Sequence, residues 1–234
     1  MTTSNTASAV LAVGLVAGLF LLGREIHTGV VEFKERDRVV TVKGLAEREV
    51  DADVAIWTLR FVDASDDYDA LFTSIDAKTT AITAFLGEAG FEHGDVTVAP
   101  ANVIDKRAQR WGGGGDVGLR YSATRDVTVY TTDVDRVRET TIRLQELGRQ
   151  GIVFEQASPQ YLFTGLNDLK PSMIEDATRE ARAVAEKFAG DSGSRVGKIR
   201  SARQGQFSIS QRDASTPHVK KVRVVSTVDY YLAD

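Results

Sequence analysis

Apolar residues along this chain recur with two different periods, and the switches between them mark out the elements. Residues 39–50 begin with alternation of Val40 and Val42, Asp51-Ala52-Asp53 reads as a turn, and 54–62 returns as a strand. In that second strand Ala55, Trp57, Leu59 and Phe61 fall on one face at a spacing of two. From 66 to 89 the spacing becomes helical, with Leu71, Ile75, Ile82, Phe85 and Ala89 on one stripe and Gly90 as the natural stop. Ser65 is the expected N-cap, and Asp66, Asp67 and Asp69 suit the positive end of the helix dipole.

Strands are expected over 96–109 and 119–130, joined as a hairpin by Trp111, Gly112–Gly115 and Asp116. Asp133 caps a helix expected to run to about Gln150, with Val137, Thr141, Leu144 and Leu147 inward. A strand over 152–163 follows. The clearest helix spans 168–189, where Ile174, Ala177, Ala181, Val184 and Phe188 step by three and four and Pro171 falls in the first turn. Strands over 195–211 and 219–232 close the chain, the last alternating Val222, Val224, Ser226, Val228 and Tyr230. The order ββαββ-αβ-αββ predicts an α+β fold: a mostly antiparallel sheet packed by about three helices on one face, with room for some parallel pairs.

Ahead of this body lies a segment with neither period. Residues 7–23 (ASAVLAVGLVAGLFLLG) are uncharged and apolar apart from Ser8, and no Asp, Glu, Lys or Arg precedes Arg24. As a helix they reach roughly 26 Å, close to the hydrocarbon thickness of a bilayer. The expected organisation is a short tail (1–6), a transmembrane anchor (7–23), a charged linker (24–37) and one folded domain (38–234). A cleaved signal peptide fits less well, since 1–6 has no basic side chain and Gly23-Arg24-Glu25 is a poor cleavage site. Gly14 and Gly18 form one small-xxx-small pair, which is commonplace in spans. The positive-inside rule, counted naively over Arg24, Lys34, Arg36 and Arg38, would hold these residues in the cytoplasm, but acidic residues are interspersed and the sequence leaves the topology open.

Composition narrows the chemistry. The net charge of −4 argues against nucleic acid as a partner. The chain has no cysteine, which removes disulfides and thiol catalysis, and only three histidines, His27, His93 and His218. Gly190-Asp191-Ser192-Gly193 matches the tetrapeptide around the nucleophile of chymotrypsin-like proteases, but it ends a long helix, where Gly, Asp and Ser turn the chain. Ser192 is the sole candidate for a serine hydrolase. The glycine run 112–115 lacks the Lys-Ser/Thr of a phosphate loop and reads as a hairpin tip, with Trp111 beside it as a candidate ligand or peptide contact. Asp63, Asp66, Asp67 and Asp69 do not have calcium-loop spacing, and Glu92, His93 and Asp95 read as a solvated turn. Residues 167–171 read as the start of a helix. No catalytic, cofactor-binding or metal-binding residue is assigned, no cofactor is implied, and the chain is expected not to be an enzyme.

Several separated blocks resemble one bacterial family. VTVKGLAEREV from Val40 to Val50, with DVAIW from Asp53 to Trp57, is similar to the start of the SIMPL domain, which is related to periplasmic immunogenic proteins. GLNDLKP from Gly165, FAGDSGS from Phe188 and KVRVVSTVDYYL from Lys221 are similar to its later blocks, so the likeness covers 38–232. The resemblance implies an α+β domain in the periplasm or at the outer face of the inner membrane. It also implies assembly into homo-oligomers, without an established enzymatic activity or agreed catalytic residues. The expected function is therefore a membrane-anchored structural or interaction module of the cell envelope. The alternatives are a ligand- or peptide-binding protein and, less well supported, a hydrolase using Ser192.

Overall fold

The computed structural model describes residues 38–108 and 118–233, together with Gly18 and 22–24. Within them the order is β1 (Val39–Asp51), β2 (Val54–Ser65), α1 (Tyr68–Glu88), β3 (Val96–Val98), β4 (Asn102–Asp105), β5 (Tyr121–Thr131), α2 (Val134–Arg143), α3 (Gln145–Arg149), β6 (Val153–Gln156), β7 (Gln160–Leu162), α4 (Leu166–Asp191), β8 (Arg195–Gln204), β9 (Ser208–Gln211) and β10 (Val219–Ala233). The fold is α+β. It carries two antiparallel sheets rather than the single one expected from the order of elements. They accompany two compact units: one holds 38–48, Lys170–Ser208 and the chain from Arg223; the other holds Glu49–Leu169 and Ile209–Val222.

In the larger unit β2 and β5 pair antiparallel along their length, from Ala55↔Thr131 to Ser65↔Tyr121. β3 and β4 pair with β5, and β6 and β7 pair with β2. The predicted face of β2 is the core: Ala55, Trp57, Leu59 and Phe61 are completely buried, with Leu71, Ile75, Ile82 and Leu86 of α1 packed in the same cluster. The indole Nε1 of Trp57 donates to Ala157 O at 2.7 Å, which satisfies its one polar atom.

Several boundaries moved for local reasons. The strands expected over 96–109, 152–163 and 195–211 are each divided, at Pro100, at Pro159 and at Gly205. A Cβ on Gly205 would stand 2.6 Å from Val225 O, so only glycine passes there. The helix expected over 133–150 is two helices. Thr140 and Thr141 turn their hydroxyls back to Arg136 O and Val137 O, and Leu144 N bonds Thr141 O in a tighter turn. Thr140, not Thr141, is the buried threonine. The N-cap of α1 is Asp67, whose carboxylate accepts from Ala70 N, while Ser65 Oγ accepts from Asp67 N. Asp133 caps α2 as expected.

The second sheet is β1, β10 and β8, with β9 also paired to β10. α4 starts at Leu166, so Pro171 sits in its second turn rather than its first. Its buried stripe is Met173, Ala177, Ala181, Ala185 and Ala189. That differs from the expected one: Ile174 and Val184 are half-buried and Phe188 is 59% exposed. The cause is Gly44 of β1, where a Cβ would stand only 1.8 Å from Ala177 O and 2.5 Å from Ala181 N. Helix and strand backbones touch there, and only small residues permit it.

The expected anchor at 7–23 lies outside the described residues, except for Gly18, Leu22 and Gly23. Among the described residues no helix is long and apolar enough to cross a membrane. The linker 24–37, apart from Arg24, also lies outside them, as do Gly14, Trp111, Gly112–Gly115 and Asp116.

Candidate functional site

The polar residues singled out in the sequence have structural occupations. Ser192 Oγ donates to Ala189 O at 3.0 Å, Ser194 N donates to the same carbonyl at 2.8 Å, and Gly193 takes φ +69°. That is a glycine-terminated helix end, and its hydroxyl is spent on the backbone. The described histidines, His93 and His218, belong to the other unit. The four acidic residues near the start of α1 are dispersed. Asp67 caps the helix, and Asp66 accepts from Arg120 N at 3.0 Å. Asp69 is in the first turn, and Asp63 takes Lys78 Nζ at 2.8 Å together with the Ser74 hydroxyl. Burial opposes ionisation of Asp63, yet the bonds from Lys78, Ser74 and Ala64 N outweigh it and hold the carboxyl below its ordinary value.

Glu92 and Asp95 close a turn on each other, Asp95 N donating to Glu92 O and Glu92 N to the Asp95 carboxylate. His93 and Glu92 border a cavity of about 300 Å³ with Phe91, Thr83 and Val96. Among the described residues no three His, Asp or Glu side chains are grouped to hold a metal ion.

The site with chemical potential was not signalled by any motif. β10 continues its alternation one step before Val222, and this brings Lys220 to the buried side at 6% exposure. The β9–β10 hairpin that carries it is closed by Arg212 N donating to Val219 O at 2.9 Å. Asp213 secures the turn by accepting from Thr216 Oγ1, Arg212 Nε and the Ser215 and Thr216 amides. Those bonds, the Thr216 hydroxyl first, hold its carboxyl far below the usual range.

Facing it is β7, whose Tyr161 pairs with Ala55 of β2. The chain leaving β7 is clamped by Asp53, whose carboxylate accepts from Thr164 N, Thr164 Oγ1 and Gly165 N at 2.9–3.1 Å. Between these segments lies a cavity of about 290 Å³ lined by Tyr161, Leu162, Phe163, Ile209, Gln211 and Lys220. The Tyr161 ring meets His218 edge-on at 6.0 Å, and burial raises the pKa of its hydroxyl. Burial also lowers that of the Lys220 ammonium, with no counter-charge acting on it.

The profile of the SIMPL family, a protein of unknown function (DUF541), matches residues 40–230. The chain belongs to the SIMPL family. The resembling blocks now have places in the SIMPL fold: VTVKGLAEREV forms most of β1, GLNDLKP opens α4, FAGDSGS ends it, and KVRVVSTVDYYL is β10. Comparison with curated proteins gives no match. In this SIMPL chain the family-like residues around Ser192 terminate a helix, whereas Lys220 stands just before the closing block.

Proposed function

We propose that this SIMPL protein is a membrane-tethered interaction module on the extracytoplasmic side, working as a homo-oligomer and without catalysis. The observation that carries the reading is the bond from Ser192 Oγ to Ala189 O, which makes the one nucleophile candidate a helix terminator. The uncharged run 7–23 supports the tether. The outward location and the self-association are expectations from family resemblance. Alkaline phosphatase fused after Asp234 tests the side of the membrane: activity is expected, and an inactive but stable fusion overturns the placement. Light scattering on the detergent-solubilised full chain tests assembly, and a strict monomer at high concentration removes that part.

A second reading, binding of a small ligand, is favoured by the cavity at Lys220. The original contact candidate for it, Trp111, lies outside the described residues.

A further inference from the structure

We propose that the cavity at Lys220 binds a small monocarboxylate with an apolar tail, its carboxylate seated on the lysine ammonium. The inference deepens the ligand-binding reading and is independent of the tether and of self-association.

Lys220 shares the inward face of β10 with Val222 and is 6% exposed. Among the described residues no hydrogen bond or ion pair reaches its ammonium, and burial alone acts on its ionisation. A largely buried lysine with no carboxylate partner is costly, and a protein that needed only packing there would be better served by methionine or leucine. The charge that would offset the cost is absent from the walls, since no Asp or Glu lines the cavity. Nearby Arg212 is already engaged by Asp213 at 2.9 Å and by Glu49 at 3.5 Å. One cation with a few neutral donors (the Tyr161 and Ser210 hydroxyls and the Gln211 amide) suits a single negative charge. A phosphate dianion is usually met by a guanidinium fork or a second cation, and no arginine or other lysine lines the cavity. Leu162, Phe163 and Ile209 supply the apolar remainder of the wall, and Leu162 and Ile209 are 42% and 40% exposed. The volume, about 290 Å³, is at the small end for ligand sites and suits a short-chain acid.

The test uses the full-length chain titrated calorimetrically with sodium hexanoate, with hexan-1-ol as the uncharged match and inorganic phosphate as the compact anion. Hexanoate should bind saturably, at least about ten-fold more tightly than either control. Lys220→Met, which keeps length and apolar volume, should lose at least about ten-fold in hexanoate affinity, while Lys220→Arg retains most of it. A thermal melt of each variant shows whether it is folded. Three results overturn the proposal: no saturable hexanoate binding up to about 20 mM, equal binding of hexanol or phosphate, or a folded Lys220→Met that binds hexanoate as the wild type does.

Discussion

Gly44→Ala pits two opposed effects against each other, and the geometry decides which prevails. Gly44 has no left-handed φ, so alanine fits the backbone and would favour the strand by about 0.5–1 kcal/mol through the unfolded chain alone. Against this, the new methyl would stand 1.8 Å from Ala177 O, 2.5 Å from Ala181 N and 2.9 Å from Ala177 C. These are helix backbone atoms, which cannot rotate away as a side chain can. Restoring ordinary contact requires β1 and α4 to part by roughly 1.5 Å, a gap that forfeits half or more of each dispersion well across it. The affected layer holds Val42, Ala181, Ala185, Val228 and Tyr230, all at 3% exposure or less. Overpacking against fixed backbone belongs at the upper end of the usual range, about 3 kcal/mol or more, so the clash wins by a wide margin. For a chain of this size that lowers Tm by roughly 6–12 °C. Calorimetric melts measure the shift, and hydrogen exchange should quicken most over 170–208. A Gly44→Ala protein as stable as the wild type would refute the backbone contact between β1 and α4.

Other substitutions probe separate parts of the molecule. Trp57→Phe removes the donor to Ala157 O and opens a small void beside Phe91, costing about 2–3 kcal/mol in urea unfolding; a loss under about 1 kcal/mol would deny the buried bond. Asp63→Asn strands Lys78 and should cost about 1–2 kcal/mol at neutral pH. Because the folded carboxyl titrates below the unfolded one, that advantage is present above the ordinary carboxylate value of about 3.9 and fades as pH falls through the lower folded value. Wild-type and variant melts should therefore converge in acid, and a constant gap would contradict the assignment. Ser192→Ala should cost under about 1 kcal/mol, and neither protein should react with a fluorophosphonate probe. Labelling of the wild type that disappears in the variant would overturn the non-catalytic reading.

Much of the fold was legible from spacing. Trp57, Leu59 and Phe61 alternate with more polar neighbours, and Leu71, Ile75 and Ile82 recur at helical intervals, so both faces were assigned correctly. The face of α4 was not, because two adjacent stripes share Ala177 and Ala181. Hydrophobicity favoured the one with Phe188, whereas the close approach of Gly44 demanded the one with Ala185 and Ala189. Lys220 was not singled out from the sequence: alternation extended back from Val222 points it inward, but lysine is rarely buried and carries no motif here. The clamp of Asp53 on Thr164 and Gly165 had no sequence signal at all, since its partners lie 111 and 112 residues away.

Periodicity, caps and breakers act within a few residues, so the order of strands and helices, the helix stop at Gly90 and the α+β class were written in the chain itself. The division into two sheets with separate cores, the choice between neighbouring stripes of α4 and the burial of a lysine were settled only by folding. Each depends on which distant surfaces exclude water together, and that free energy belongs to the whole packed arrangement rather than to any local stretch.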